Sequence, residues 1–419
     1  VKRIVCMGLI WFLFATGITG VANGAALGIV YAEELTPQTN SSATFATKKS
    51  ITLAANTTYF IIVRADQRNT SSGGPVTKAR ILINSTEEVE SNHVEEIDSV
   101  SSTLFFPFSY IQLHTTGGST ETVDYQIASD GAQTTTADTI VLLAIPLDDL
   151  TDGKDYKFGE QDDSASPVAH TTTFADRASI TFTPDNANDD WLVMSWGHFI
   201  INGVSVNYEM RINRDSDTEV VPSMSTEGED VAEILPATIT RVYTLSAAEH
   251  TFTVQSRDGE VTAVNEHDFS RIFALRLNVF EDHVFDWTEA EFTAANDNTF
   301  EEVADLAVTP QTAGDWIFLG GGMGDISTRD AWGIRFNKAG TAFPVGQDGY
   351  NLNRGHDATD ENHVFILGKI DLSASLSNMA ADFRAVDKTR VNFEDRSFVG
   401  FSYELAGGDP PVTFKGQMY

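Results

Sequence analysis

The chain has 419 residues, 42% hydrophobic and 10% aromatic, which supplies several packed cores and excludes disorder throughout. Its 60 acidic and 27 basic residues give a formal net charge of −33. A surface that acidic repels phosphate backbones, so nucleic acid is excluded as a partner, and it suits a salty or extracellular medium whose counterions screen self-repulsion. The single cysteine, Cys6, excludes an intrachain disulfide and a cysteine-rich zinc site.

The first feature in chain order is Lys2-Arg3 followed by Ile4–Ala32, which carries no charge. A basic start, an apolar stretch and small residues at Ala22-Asn23-Gly24 describe a secretory signal peptide, and the span is also long enough for a membrane helix. Residues 1–33 are therefore expected to be a signal peptide or a hydrophobic helical anchor, with membrane contact through residues 4–32. Gly17, Gly20, Gly24 and Gly28 break its second half and favour the cleaved signal.

Three related stretches follow. ATFATKKSITLAANTTYFIIV, TTFADRASITFTPDNANDDWLVM and NTFEEVADLAVTPQTAGDWIFLG carry leading aromatics at Phe45, Phe174 and Phe300. In each, a later aromatic (Tyr59, Trp191, Trp316) opens an apolar run. KARILINS, YEMRINRD and WGIRFNKA form a second anchor, aligned on Asn84, Asn213 and Asn337. DTIVLLAIPL, SRIFALRLNV and DRSFVGFSYEL form a third, aligned on Ile140, Ile272 and Phe398. Anchors at one near-constant spacing define internal repeats. They are expected at 34–148, 165–281 and 282–405, with a linker at 149–164 and a tail at 406–419. Within them, short alternating or apolar runs rich in Thr, Val, Ile, Phe and Tyr predict β-strands. The linker hydrophobics Tyr156, Phe158, Phe285 and Trp287 are expected to pack as first strands. Helical turns are expected only at 246–252 and 371–383.

The closing pattern of each repeat, an HTFTVQS-type strand, a polar hairpin and an apolar strand such as RIFALRLNV, resembles the end of C1q/TNF-like jelly rolls of bacterial and phage structural proteins. The resemblance implies a two-sheet antiparallel jelly roll, often oligomeric and often trimeric, and transfers no functional residue. Strand alternation alone equally permits an Ig-like sandwich. The expected fold is all-β: three tandem antiparallel β-sandwich, jelly-roll-like domains after an N-terminal hydrophobic helical segment.

Few residues carry candidate chemistry. Asp185, Asp189 and Asp190 offer three carboxylates to a structural calcium ion. The matching slots AANTTY and PQTAGDW lack them, and Asp and Asn are common turn formers. The stretch 148–155 fails as an EF-hand because Leu150 and Gly159 stand at ligand positions. His356, Asp357, Asp360, Glu361 and His363 form a dense metal-capable cluster without zincin spacing. Gly320–Asp325, GGGMGD, is followed by a strand pattern and not the helix of a dinucleotide fingerprint, and reads as a glycine-rich connection. No nucleophile or phosphate-loop motif occurs, so no catalytic or cofactor-binding residue is assigned. Four N-x-[ST] sequons, at Asn40, Asn56, Asn69 and Asn84, all fall in the first repeat. Trp196, Trp287 and Trp332 are candidates for an aromatic platform that holds a glycan ligand. These features point to a non-enzymatic structural protein that self-associates into a homo-oligomer or larger assembly, secreted and on a cell surface or in a virion. The alternatives are a carbohydrate- or receptor-binding adhesin, then a secreted polysaccharide-acting enzyme.

Overall fold

A computed structural model describes residues 27–69, 76–96, 106–129, 134–163, 168–169, 171–201, 206–216, 223–228, 233–258, 266–293, 299–326, 331–343, 351–354, 360–385 and 391–406. It is nearly all β, in several antiparallel sheets, and the one helical element among the described residues is a 3-10 turn at Leu277–Val279.

The strands fall into three successive sets. The first comprises β1 (Val30–Glu34), β2 (Gln38–Asn40), β3 (Ala46–Leu53), β4 (Thr58–Asn69), β5 (Val76–Ile83), β6 (Thr86–Glu96), β7 (Phe106–Thr115), β8 (Glu121–Ser129) and β9 (Thr135–Pro146). The second comprises β10 (Tyr156–Asp162), β11 (Val168–Ala169), β12 (Ala175–Phe182), β13 (Asp189–Ile201), β14 (Val206–Arg214), β15 (Ser223–Gly228), β16 (Glu233–Leu245), β17 (His250–Asp258) and β18 (Glu266–Arg276). The third comprises β19 (His283–Thr288), β20 (Phe292–Thr293), β21 (Glu301–Asp305), β22 (Gly314–Ile326), β23 (Ala331–Lys338), β24 (Thr341–Phe343), β25 (Asn351–Arg354), β26 (Asp360–Leu372), β27 (Met379–Ala385) and β28 (Val391–Ser402).

One pairing order recurs. The first set makes a sheet β1-β9-β4-β7, with β2 beside β9, and a sheet β3-β8-β5-β6. The second repeats this as β10-β18-β13-β16, with β11 beside β18, and β12-β17-β14-β15. The third repeats it as β19-β28-β22-β26, with β20 beside β28, and β21-β27-β23-β24, with β25 beside β23. In each set the first sheet lies inward and the second outward. Inward strands such as β9 are buried at successive positions, whereas outward strands such as β8 alternate buried with half-buried residues. That difference is the one between a continuous apolar run and a period-two pattern.

The third and fourth strands of each inward sheet bring the sets together. In β13, Trp191 and Val193 face the core of their own set, while Leu192, Met194 and Trp196 face a central core. In β22, Trp316 and Phe318 face their own set, while Ile317 and Leu319 face the same central core. Phe60 of β4 stacks there on Phe273 of β18, ring centroids 3.6 Å apart, and Phe280 stacks on Phe401 at 4.5 Å. Contacts run cyclically: β4 lies against β26, β13 against β7, and β22 against β16. Likewise β16 pairs antiparallel with β6 at Ile234↔Val94, which joins β10-β18-β13-β16 and β6-β5-β8-β3 into one nine-stranded sheet, while β26 approaches β15 and β7 approaches β25. The three sets close a ring around a shared apolar core rather than standing in a row.

Several expectations are corrected. Residues 1–26 lie outside the described residues, but Leu27 is buried and Val30–Glu34 form β1, paired from Val30↔Ala144 to Glu34↔Ile140. The end of the expected hydrophobic helix is therefore a strand, because its apolar residues are needed against β9 and the central core. Neither expected helical turn forms. Residues 246–249 make a bend into β17, and 371–383 close β26, bend with Leu376 67% exposed, and enter β27. Gly320–Asp325 is no connection but part of β22. Gly320 has φ +151°, and a Cβ there would stand 2.2 Å from the Ser397 carbonyl oxygen, so the close approach of β28 requires glycine. The second anchor also shifts. The equivalent residues are Arg80, Arg211 and Arg335, whose guanidiniums lie 4.0, 3.9 and 3.8 Å over Phe45, Phe174 and Phe300. Asn84 aligns with Asp215, not Asn213, each starting a pair of positive-φ residues (50° and 64°; 54° and 61°) matched by Ala339-Gly340 (48° and 91°). A two-residue slip keeps every side chain on the same face, which is why the pattern alone does not expose it. No helix of the described residues is long and apolar enough to cross a membrane.

Candidate functional site

The chemistry of this chain concentrates where the sets meet. Five residues beyond the matched aromatics Tyr59, Trp191 and Trp316 stand Arg64, Trp196 and Gly321, each on the strand face turned to the neighbouring set. Their registers are also equivalent: Arg64 pairs with Ser109, Trp196 with Thr238 and Gly321 with Phe365. Trp196 is buried, and its Nε1–H donates to the Ser109 carbonyl of the first set at 2.9 Å. Arg64 is buried too, and its Nε–H donates to the Phe365 carbonyl of the third set at 3.1 Å. Two equivalent side chains thus clasp two equivalent carbonyls. The third position is a glycine, and that seam is bridged instead by Thr240 Oγ1 donating to the Ser397 carbonyl at 3.4 Å.

Arg64 is held by its own set. Its Nη2 pairs with Asp66, and its Nη1 donates to the Thr139 carbonyl at 3.2 Å. Thr139 has φ +46°, an outlier for a β-branched residue, and sits where β4 and β9 lose register between Arg64 and Asp66. The bulge turns the Thr139 carbonyl onto the guanidinium. Asp66 lies directly across from Asp138 in the ladder, and Arg68 Nη2 approaches Asp138 at 3.9 Å. Burial, opposed by Arg64 and reinforced by Asp138, pushes the Asp66 carboxyl up to about 7. Opposed like charges in a sheet are unfavourable, and buried charges are costly unless paired.

Sequence reasoning missed this cluster. The available signal was an arginine in the apolar run of β4, at the position where the second repeat has tryptophan and the third glycine.

The acidic turn lies at another junction. Asp185 pairs with Lys154 of the segment before β10 at 3.0 Å. Asp189 accepts from Arg276 Nη1 at 3.3 Å, and Arg276 Nη2 reaches Asp155 at 2.6 Å. Asp190 accepts from Thr244 Oγ1 at 2.6 Å, lies 3.1 Å from His283 Nε2, and its N–H donates to Asn278 Oδ1 at 2.7 Å. The three carboxylates serve separate partners, and no group of three metal-capable side chains converges among the described residues. They tie the second set to the segments leading in from the first and out to the third. In the EF-hand-like stretch, Asp148 likewise accepts from the Thr58 N–H at 3.0 Å. His356 and Asp357, and the side chains of Asp360, Glu361 and His363, lie outside the described residues.

The other candidates are dispersed. Trp196 is core. Trp287 is 38% exposed, with the Arg241 guanidinium 3.7 Å over its ring. The Trp332 side chain lies outside the described residues. Asn56 and Asn84 are exposed at turns, whereas the Asn40 amide donates to the Ile127 and Thr44 carbonyls at 2.7 and 3.0 Å. The Asn69 side chain lies outside the described residues. A shallow cleft of about 330 Å³ in the third set is lined by Glu302, Asp305, Asn337, Gly340, Asn378 and Met379. Burial, then the neighbouring Asp305, Asp382 and Asp286, raises the Glu302 carboxyl above its ordinary range.

No family model matches the chain, and no curated protein matches it. Among solved structures, the insecticidal delta-endotoxin Cry8Ea1 of Bacillus thuringiensis is similar at 8% identity and TM-score 0.21, over 54% of each chain. The chain thus spans about half the endotoxin's length. A chain in the structure of Sulfolobus turreted icosahedral virus is similar at 8% identity and TM-score 0.17, over 84% of this chain and 83% of that one. The tandem CBM22-1-CBM22-2 domain of Paenibacillus barcinonensis Xyn10C is similar at 8% identity and TM-score 0.17, over 62% and 99%. Likenesses at these TM-scores fix neither a common fold nor a role.

Proposed function

We propose that this chain is a non-enzymatic structural protein of a cell surface or virus particle, in which three jelly rolls form one ring-shaped building block that self-associates. The observation that carries the reading is the threefold recurrence of one strand order around a shared core. That order, in which the first, last, third and sixth main strands make one sheet and the other four make the second, is what a jelly roll requires. The clasps at Arg64 and Trp196 tie the sets to one another, which suits a rigid block better than a flexible array. An apolar N-terminal stretch and an acidic surface fit an extracellular or virion setting, where the chain acts without nucleic acid or cofactor.

Electron microscopy and mass measurement of protein from its native source test the proposal. Particles, layers or filaments built from this chain are the expected result. A strictly monomeric protein at high concentration would overturn it. A glycan-binding role is the second reading, favoured by the acidic cleft of the third set, and glycan-array binding lost on Asn337→Ala would raise it above the first.

A further inference from the structure

We infer that the seam between the third and first sets is an interface for a second copy of this chain, the third set of one copy docking on the first set of the next. The inference rests on the assembly reading above.

The seams are heterologous, the fourth inward strand of one set against the third inward strand of another. Such a contact closes a ring when it is satisfied within one molecule and propagates a chain of molecules when it is not. Two of the three seams are bridged by peptide, residues 147–155 between β9 and β10 and residues 277–282 between β18 and β19. Among the described residues, no segment of the chain joins the third set to the first. If that seam parts, the second and third sets keep sandwich cores of their own, while the first set gives up the core it shares with Ile317, Leu319, Phe365 and Leu367.

Its contacts can be made between copies as well as within one. A guanidinium on β4 recognises one main-chain carbonyl of β26, and the Leu27 N–H donates to the Tyr403 carbonyl at 2.9 Å. Lys369 of β26 lies 5.8 and 5.6 Å over the rings of Tyr31 and Tyr403. Any copy offers those partners identically.

Assembly by strand addition is the competing route, and the sheet edges oppose it. The outer inward strand is split in every set, as β1/β2, β10/β11 and β19/β20. The outward edge strands β3, β12 and β21 each carry a register shift, at Thr47/Lys49, Asp176/Ser179 and Glu302/Ala304. Short and bulged edges are the usual protection against edge pairing. On the opposite outward side, β6 is already paired with β16 of the second set, and β15 and β25 are covered by β26 and β7 of their neighbours.

Paired cysteines test the inference in a Cys6→Ser background. One chain carries Leu27→Cys and a second carries Tyr403→Cys. Mixed, assembled and mildly oxidised, they are expected to yield covalent two-chain species. The double variant, oxidised while dilute, is expected to lock its own ring and stay as single copies. A second pair, Tyr31→Cys with Lys369→Cys, serves if the buried Leu27 substitution disturbs folding. Assembly that proceeds with neither cross-link, or from locked rings, overturns the inference and leaves the assembly reading standing. Wild-type protein that never assembles overturns both.

Discussion

At one strand position the first set buries a guanidinium and the second an indole, and each reaches the equivalent carbonyl of its own neighbour, Phe365 and Ser109. Trp196 fills space with apolar surface and needs one partner for its N–H. Arg64 requires a counter-ion, a bulged carbonyl and a neighbour's carbonyl, and so draws Asp66 and Asp138 into the interior with it, with the half-buried Arg68 beside them. The indole seam is directional as well, since Thr238 Oγ1 donates to Ser109 Oγ at 2.8 Å and the buried Arg271 guanidinium donates to the Ile111 carbonyl at 3.0 Å across it, but the carboxylate partner of Arg271, Glu160, is exposed. The guanidinium seam adds a fully buried carboxylate, so removing Arg64 leaves the Asp66 charge without its counter-charge.

The largest expected effect follows from that contrast. Arg64→Ala leaves Asp66 buried without its counter-charge and is expected to cost about 3–5 kcal/mol at pH 8. Chemical denaturation checks this. Replacing both partners, Arg64→Met with Asp66→Leu, is expected to fall within about 1 kcal/mol of wild type or to exceed it, since apolar residues of similar volume often match a buried pair. A double variant as weak as Arg64→Ala would show that the clasp to Phe365, and not the burial of charge, carries the seam.

Next comes pH. The Asp66 carboxyl is raised to about 7, so the folded chain binds this proton more tightly than the unfolded chain does. Its contribution to stability is full below the ordinary aspartate range, about pH 4, and is lost as pH rises toward 7. Asp66→Asn is expected to flatten the stability profile over that window, read as melting temperature against pH. The Arg64→Ala penalty is expected to shrink at pH 5, where Asp66 is protonated. A penalty constant from pH 5 to 8 would mean that Asp66 stays ionised, and the comparison would lose its electrostatic half.

Trp196→Phe probes the other seam with a smaller change. It keeps most of the apolar volume and removes the N–H to Ser109, at an expected cost of about 1 kcal/mol with no pH dependence.

The sequence made some of this legible. The aromatics Phe45, Phe174 and Phe300 mark equivalent strands because each needs an arginine over its ring, and Tyr59, Trp191 and Trp316 each turn into the core of their own set. Strand periodicity reports whether a residue is covered, not by what, so β4, β13 and β22 read as ordinary buried strands and gave no sign of the ring. The alternation Trp191/Leu192 splits two different cores, and both look alike in sequence. Residues 371–383 mislead for a local reason. Leu372 and Met379 are buried in neighbouring strands, while Leu376 between them points out at a bend, so helical spacing arises without a helix.

The smallest expected effect concerns the acidic turn. Its aspartates resemble the Asp66 cluster in composition, but Asp185 and Asp190 lie nearer solvent, where paired charges contribute about 1 kcal/mol or less each, and the buried Asp189 pairs with an arginine, Arg276, that reaches solvent. Asp189→Asn with Asp190→Asn is therefore expected to lower the melting temperature only slightly, by loosening Arg276, His283 and Thr244. Calcium calls for six to eight oxygens around one point, and here Lys154, Arg276 and His283 already face the three carboxylates from different sides. Millimolar calcium is thus expected to leave the wild-type melting temperature unchanged, while added sodium chloride raises it by screening the net charge of −33. A calcium-specific rise that disappears in the double variant would assign the turn to a metal and make it, unlike Arg64, a site that one repeat acquired for a ligand rather than for its neighbours.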